Sequence, residues 1–537
     1  MVGLATVLGS GAMTNSIAEI GDADTILVVG SNTTSAHPII ALQIKAAVRR
    51  GAKLIVINPK EIELCRKADT FIQNPPGSDV PLLMAIMRII VEEGLADKAF
   101  IEERCENFEA FRESLETFVP EEVAQKTGIS LETLRKVALT YAGNGNSTIL
   151  YCMGITQHVH GTDNVLALAN LALLTGNIGK ANCGINPLRG QNNVQGSCDM
   201  GSLPDVFPGY KKVDKHSELF EKYWDTQLSS EFGRTHTEIF DDLHDGTIKA
   251  VYLVGENPVL SEANAHHAIE AMERANFMVV QDIFFSETAQ LADVILPATS
   301  FAEKDGTFTN TERRIQRVRK AIEPVGDSKP DWWITQQIAL RLQAKGFDYE
   351  SPEDIMAEIA ATVPTYAGVT YPRIERTGIQ WPCTDTEHKG TPFLHKERFS
   401  TESGKARFTP LGYREVTEAV NIDYPLTLTT TRSLFHFHST MTRRVFGLNV
   451  LDKGEVLIIH PHDAKTLDIV DGEEVYVSSR RGKLKVAVQI NTICIPGTVS
   501  MSFHFSETPT NQLTSGELDP VSKIPGTKLC AVKIEKI

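Results

Sequence analysis

Through the first half of the chain, short apolar runs ending on glycine alternate with stretches of helical spacing. Residues 24–30 (DTILVVG) are almost continuously apolar, as a parallel strand buried on both faces requires. Residues 38–50 carry apolar side chains three and four apart, and Gly51 closes them, which predicts a helix. Residues 53–58 (KLIVIN) read as the next strand, completing a βαβ unit of about 30 residues. Helices are predicted over 78–94, 97–117, 130–142 and 164–174, and a strand over 147–153 (STILYCM). This alternation predicts a doubly wound α/β domain.

The same pattern returns later. Residues 250–255 (AVYLVG) form a strand ending on glycine, 261–275 a helix, 277–282 (FMVVQD) a second strand and 293–297 (DVILP) a third. From Gly30 to Asn58 is 28 positions, and from Gly255 to Asp282 is 27. Beyond the carboxyl ends of such strands, a glycine lets backbone approach a phosphate, and the next helix favours the anion. A polar residue ending the second strand can bond a ribose hydroxyl. The repeat fits two nucleotide-type ligands, or one ligand and a relic of duplication, or two units with merely structural turns. Neither unit carries G-x-G-x-x-G.

From 326 to 423 the spacing loosens into a Pro- and Gly-rich connecting segment with one helix near 331–345. After residue 424, strands are expected at 425–431, 475–479, 483–490 and 498–503, with turns at Asp471-Gly472 and Arg481-Gly482. The fold class expected is therefore α/β: two doubly wound nucleotide-binding units related by an internal repeat, plus a C-terminal β-barrel domain. The domains are drawn at 1–191, 192–325, 326–423 and 424–537.

The chain has 537 residues and a net charge of −15. That balance argues against a nucleic-acid partner or an anionic membrane surface. No apolar run reaches the length of a membrane span. None of the eight cysteines forms a CxxC, so a locally spaced zinc or iron–sulfur site is not expected. Scattered cysteines in an acidic chain suggest a reducing, cytoplasmic setting.

Residues 186–196 (NPLRGQNNVQG) surround one arginine with amides and glycines. Such a loop suits a planar, hydrogen-bond-rich heterocycle, and its arginine fork suits a small carboxylate. It is equally readable as an exposed polar loop. His436-x-His438 and His460-x-His462 lack a carboxylate or cysteine at ligand spacing and read as pocket or surface histidines rather than metal ligands.

Several of these segments together resemble the catalytic alpha subunit of formate dehydrogenases, in the molybdopterin oxidoreductase superfamily. They are residues 9–15 (GSGAMTN), 186–201 (NPLRGQNNVQGSCDMG), 293–300 (DVILPATS), 309–313 (TNTER), 518–520 (LDP) and 528–532 (KLCAV). The resemblance runs from residue 3 to the C-terminus. It implies two molybdopterin guanine dinucleotides sharing one Mo or W atom. One nucleotide would lie near Asn32, Asn58, Pro59, Gly77 and Asp79, and the other near Gly255, Asn257, Ser261 and Asp282. Gly154, Gln157, Gly190 and Gln191 would approach a pterin, and Arg432, Asn511 and Lys528 would contact the cofactors from the barrel. Arg189 would be the catalytic arginine that orients formate. The reaction implied is reversible two-electron oxidation of formate to CO2. Partners implied are iron–sulfur electron-transfer subunits, or a diaphorase or hydrogenase module.

The family also has an N-terminal four-cysteine [4Fe–4S] segment and a cysteine or selenocysteine that ligates the metal, followed by a histidine. Gly3-Leu4 matches the end of that motif, which places the ligand about five positions before Met1. The expectation is a fragment of a longer, selenocysteine-type reading frame, with no metal ligand of its own and no turnover unaided. Two alternatives are another molybdopterin oxidoreductase, such as a nitrate reductase, and a non-catalytic scaffold with the same fold.

Overall fold

Five parallel strands build the first sheet in this computed structural model, which describes residues 1–537. They are β1 Thr25–Val29, β2 Lys53–Ile57, β3 Thr70–Ile72, β4 Ser147–Tyr151 and β5 Gly184–Pro187, in the order β3-β2-β1-β4-β5. Every residue of β1 and β4 is buried. Successive side chains alternate between faces, so each face has its own core. Ile26, Val28, Leu54 and Val56 meet Ile40, Ile44 and Ala47 of helix α2 (Pro38–Arg49; α1 is Val2–Leu8). Leu27, Val29, Ile55 and Ile57 share the opposite core with helices α3 (Asp79–Glu92), α4 (Leu131–Gly143) and α5 (Gly161–Leu174). Helices on both faces explain why these strands read as continuous apolar runs.

The chain divides into two compact units. One comprises Met1–Leu188, Leu260–Ala265 and Phe393–Ile537, and the other Arg189–Val259 and His266–Pro392. The first also contains a closed barrel of β11 (Leu426–Thr430), β12 (Val456–Ile459), β13 (Glu474–Ser478), β14 (Lys483–Ile490), β15 (Thr498–Met501) and β16 (Cys530–Lys536). Its strand order is β11-β15-β12-β14-β13-β16. Leu428, Leu457, Ile459, Val475, Val477, Val486, Val499 and Val532 fill its interior.

The second unit carries helix α6 (Val194–Asp199) and helix α7 (His236–Asp245). Its parallel sheet has strands β6 (Ala250–Val254), β7 (Phe277–Asp282) and β8 (Val294–Pro297), in the order β8-β7-β6. Helices α7 and α8 (Ala265–Glu273) cover one face through Phe240, Leu243, Ala268 and Met272 against Met278 and Val280. An antiparallel hairpin follows, β9 (Gly306–Thr309) and β10 (Arg314–Val318).

The two α/β units and the barrel agree with the sequence expectation, and the repeat runs deeper than its glycines. Gly30 N donates to Ile57 O at 3.0 Å, and Gly255 N to Gln281 O at 2.8 Å. Both glycines have positive φ, 56° and 65°. The side chain ending the second strand caps the backbone two residues on, Asn58 to Lys60 N at 3.1 Å and Asp282 to Phe284 N at 3.1 Å. Asp69 accepts from Leu54 N at 3.0 Å, and Asp293 from Met278 N at 2.7 Å. Each of these two aspartates follows an alanine that ends a short 3-10 turn.

Three predicted elements differ. The helix expected over 97–117 splits into Lys98–Arg104 and Phe108–Leu115, because Cys105–Glu106 pairs as a strand with Ala406–Arg407. The helix expected over 261–275 breaks into Pro258–Ser261 and Ala265–Glu273 at Asn264, whose φ is 50°. The connecting segment holds a second helix, Pro352–Thr362, opened by a capping box from Ser351 and Asp354. No helix is long and apolar enough to cross a membrane.

Candidate active site

Strand order reverses at β1, which pairs with β2 on one side and β4 on the other. In open parallel sheets, ligands bind beyond the carboxyl ends at that point. There Gly154 N donates to Gly30 O at 3.0 Å, and the two backbones touch. A Cβ on Gly154 would stand 2.5 Å from Gly30 O, so only glycine permits the approach.

Several expected residues converge on this edge of the first unit. Asn32 ends the β1 loop, and its carbonyl accepts from Ala36 N at 2.9 Å. Asn58 and Pro59 follow β2, and Pro59 O accepts from Gln73 Nε2 at 3.1 Å. Gly77, with φ 85°, precedes Asp79 in the first turn of α3. Gln157 O accepts from Lys528 N at 3.2 Å, which brings the barrel onto the loop after β4. A cavity of about 40 Å3 lies beside them, lined by Gly77, His158, Gly526 and Leu529 among others. Asn511 joins Ser261 through backbone: its Nδ2 donates to Leu260 O at 2.8 Å and to Ser261 O at 3.1 Å.

The electrostatics of this edge are unusual. Lys528 is buried, and its Nζ donates only to Thr430 O at 2.8 Å and Thr430 Oγ1 at 2.9 Å. Burial pushes its ammonium down to about 8. Arg432 lies 4.7 Å over the Phe437 ring, and burial lowers its guanidinium too. Its Nε is buried without a hydrogen-bond partner. His158, whose Nε2 meets Gly154 O at 2.9 Å, is driven down to about 4 by burial, with the Lys528 charge adding to the effect. Burial, then the Arg432 charge, also lowers His438. Buried cations without carboxylates leave a strong demand for an anion.

Asp79 supplies the complementary end. It is buried, and desolvation pushes its carboxyl up to about 7 against a hydrogen bond from Asn74 Nδ2 at 3.3 Å. Asn74 Oδ1 is buried and unpaired. A carboxyl and an amide oxygen together suit the N–H edge of a purine.

The second unit gathers the remaining residues in two places. At the end of its sheet, Gly255 opens onto space a side chain would not fill. Asn257 donates to Glu287 Oε2 at 2.8 Å and accepts from Thr288 Oγ1 at 2.7 Å, so its side chain fastens the loop locally. Elsewhere Arg189, Gly190 and Gln191 form the loop ahead of α6. Arg189 Nη2 meets Gln195 Oε1 at 3.4 Å, and Arg189 N donates to Thr311 Oγ1 at 3.1 Å. Thr309 N donates to Asn193 Oδ1 at 2.8 Å. The segments 186–201 and 309–313, far apart in sequence, are thus bonded together.

The molybdopterin oxidoreductase family model matches residues 5–341, and the molydopterin dinucleotide binding domain matches residues 426–531. The chain belongs to the molybdopterin oxidoreductase family. Among its relatives is the F420-dependent formate dehydrogenase subunit alpha of Methanocaldococcus jannaschii, 47% identical over 100% of this chain and 80% of that protein. Formate dehydrogenase H of Escherichia coli is 39% identical over 100% of this chain and 76% of its own length. The acetylene hydratase of Pelobacter acetylenicus has the same fold, with a TM-score of 0.80 at 20% identity, over 100% of this chain and 80% of that one.

A pterin dinucleotide fits what is present. The cations Lys528 and Arg432 offer donors for anionic groups, and Asp79 and Asn74 offer acceptors for a heterocycle. Sequence reasoning gave no site role to Asn74, whose Oδ1 is buried and unpaired, nor to His158 and His438, whose surroundings appear only once the chain is folded. It also gave no role to Gln195 and Asp199, whose four-residue spacing on one helix was the available signal.

Proposed function

We propose that the chain is the pterin-binding and formate-orienting part of a formate dehydrogenase, acting on formate and CO2 with electron-transfer partner subunits. The observation that carries the reading is its 47% identity, along its whole length, with a formate dehydrogenase alpha subunit. One guanine dinucleotide would be held by Asn32, Asn58, Pro59, Gly77 and Asp79, with Gly154 and Gln157 toward its pterin. Gly255, Asn257, Ser261 and Asp282 would hold a second, with Gly190 and Gln191 toward that pterin. Arg432, Asn511 and Lys528 would add contacts from the barrel. When bound, the Mo or W pterin group supplies the two-electron redox chemistry.

This chain's own share is binding and orientation. The Arg189 guanidinium can bond both oxygens of formate and leave the C–H directed away from the fork. Lys528 and Arg432 would neutralise cofactor phosphates. The test is Arg189→Ala in the assembled holoenzyme. Formate-dependent dye reduction should fall at least about a hundredfold, with guanine nucleotide per chain unchanged. An undiminished rate would sink the assignment.

A further inference from the structure

The amide that meets the Arg189 guanidinium is itself bonded to a buried carboxyl group. Gln195 is buried on α6, and its Nε2 donates to Asp199 Oδ1 at 2.7 Å and to Tyr210 Oη at 3.0 Å. Asp199 is buried as well. Oδ1 also accepts from the Tyr210 hydroxyl at 2.7 Å. Oδ2 accepts from the Tyr366 hydroxyl at 2.5 Å and from Trp381 Nε1 at 2.7 Å. Indole and amide nitrogens can only donate, so one bond on each oxygen has a fixed direction. Burial raises the Asp199 carboxyl, and the four hydrogen bonds oppose that rise.

This arrangement decides how the Gln195 amide points. The two ends of an amide have nearly the same shape and opposite polarity. Asp199 takes the nitrogen, which leaves Oε1 for the Arg189 guanidinium. A flipped amide would set oxygen against carboxylate and N–H against guanidinium.

The rest of the network is fixed from behind. Arg313 is wholly buried and donates to the carbonyls of Trp381, Thr391 at 3.0 Å and Pro392 at 3.1 Å. Its guanidinium lies 5.5 Å over the Trp381 ring. The Tyr366 hydroxyl meets Thr309 Oγ1 at 3.2 Å. Residues 309–313 thus brace two of the four donors.

We propose that Asp199 is a positioning residue: through the amide of Gln195 it fixes the Arg189 guanidinium in the orientation that receives formate. The proposal rests on the reading of Arg189 as the formate-binding arginine and deepens it.

The experiment uses the holoenzyme in four forms, Asp199→Asn, Gln195→Met, the double variant and Arg189→Ala. KM and kcat for formate are measured, together with the formate Kd of the oxidised enzyme by equilibrium dialysis and the guanine nucleotide content. Each single change should raise KM and Kd about tenfold and lower kcat less than about threefold, with nucleotide content unchanged. The double variant should match Gln195→Met alone, because Asp199 acts through that amide. Additive effects, or an unchanged KM in either single variant, would overturn the proposal. If Asp199→Asn fails to fold, Gln195→Met decides alone. An unchanged KM and kcat in Arg189→Ala would instead overturn the underlying reading.

Discussion

The Lys528 ammonium rests 2.8 Å from the Thr430 carbonyl, a neutral acceptor for a buried cation. A lysine in the unfolded chain titrates near 10.4, whereas Lys528 is pushed down to about 8. Between those values the unfolded chain binds more protons, so Lys528 makes stability rise with pH across that window. Lys528→Met should abolish the rise, seen as midpoints of thermal unfolding from pH 8 to 10.5. The same variant should retain at most about a tenth of the guanine nucleotide per chain.

Asp79 carries the opposite sign. Its folded carboxyl is raised to about 7 and an unfolded one lies near 3.9. The unfolded chain therefore loses its proton first as pH rises, and stability falls between about 4 and 7. Asp79→Asn should remove that fall and raise the unliganded melting temperature at pH 8 by a few degrees. Nucleotide retention should drop in the same protein, separating stability from binding.

The two repeat glycines should respond unequally to alanine. Both lie at positive φ, where a Cβ costs about 1–2 kcal/mol. At Gly30 the added atom also meets Gly154 backbone at 2.8 Å, while at Gly255 it meets nothing within 4 Å. Chemical denaturation should find Gly30→Ala the more destabilising by at least about 1 kcal/mol. Equal losses would mean the Gly30–Gly154 approach can relax.

Asp519 ties the C-terminal segment to the start of α5. It accepts from Thr162 N at 2.9 Å, Thr162 Oγ1 at 2.7 Å and Ser522 N at 2.7 Å. Burial works against the carboxylate, but these donors win and its carboxyl is lowered. Its contribution is present above the unfolded value near 3.9 and is lost as pH falls below it. Asp519→Ala should cost about 2–3 kcal/mol at neutral pH, measured by urea unfolding, and flatten the acid limb.

Much of the fold was legible because strands buried on both faces need apolar runs, as Ile26–Val29, Leu54–Ile57 and Ile149–Tyr151 supply. The strands that escaped were short or lacked that signature. Thr70–Ile72 has three residues and Val456–Ile459 four. Cys105–Glu106 pairs only because Ala406–Arg407 arrives from 300 residues away, which no local window contains. The site was legible through its resemblance, and Arg189 also through its amide-rich loop. The buried cations around Lys528 and the Asp199 carboxylate depend on what packs over them, so their meaning appears only in three dimensions.

The first unit is assembled from both ends of the chain, and this sets an order of synthesis. Phe399, Ala406 and Phe408 enter the same core as Leu27 and Ile149. The barrel closes where β16, its last strand to be made, meets β11, its first. The inner unit is complete once Pro392 has left the ribosome. The arginine loop and its carboxylate anchor can therefore form while the first sheet still lacks part of one core and the barrel strands do not yet exist.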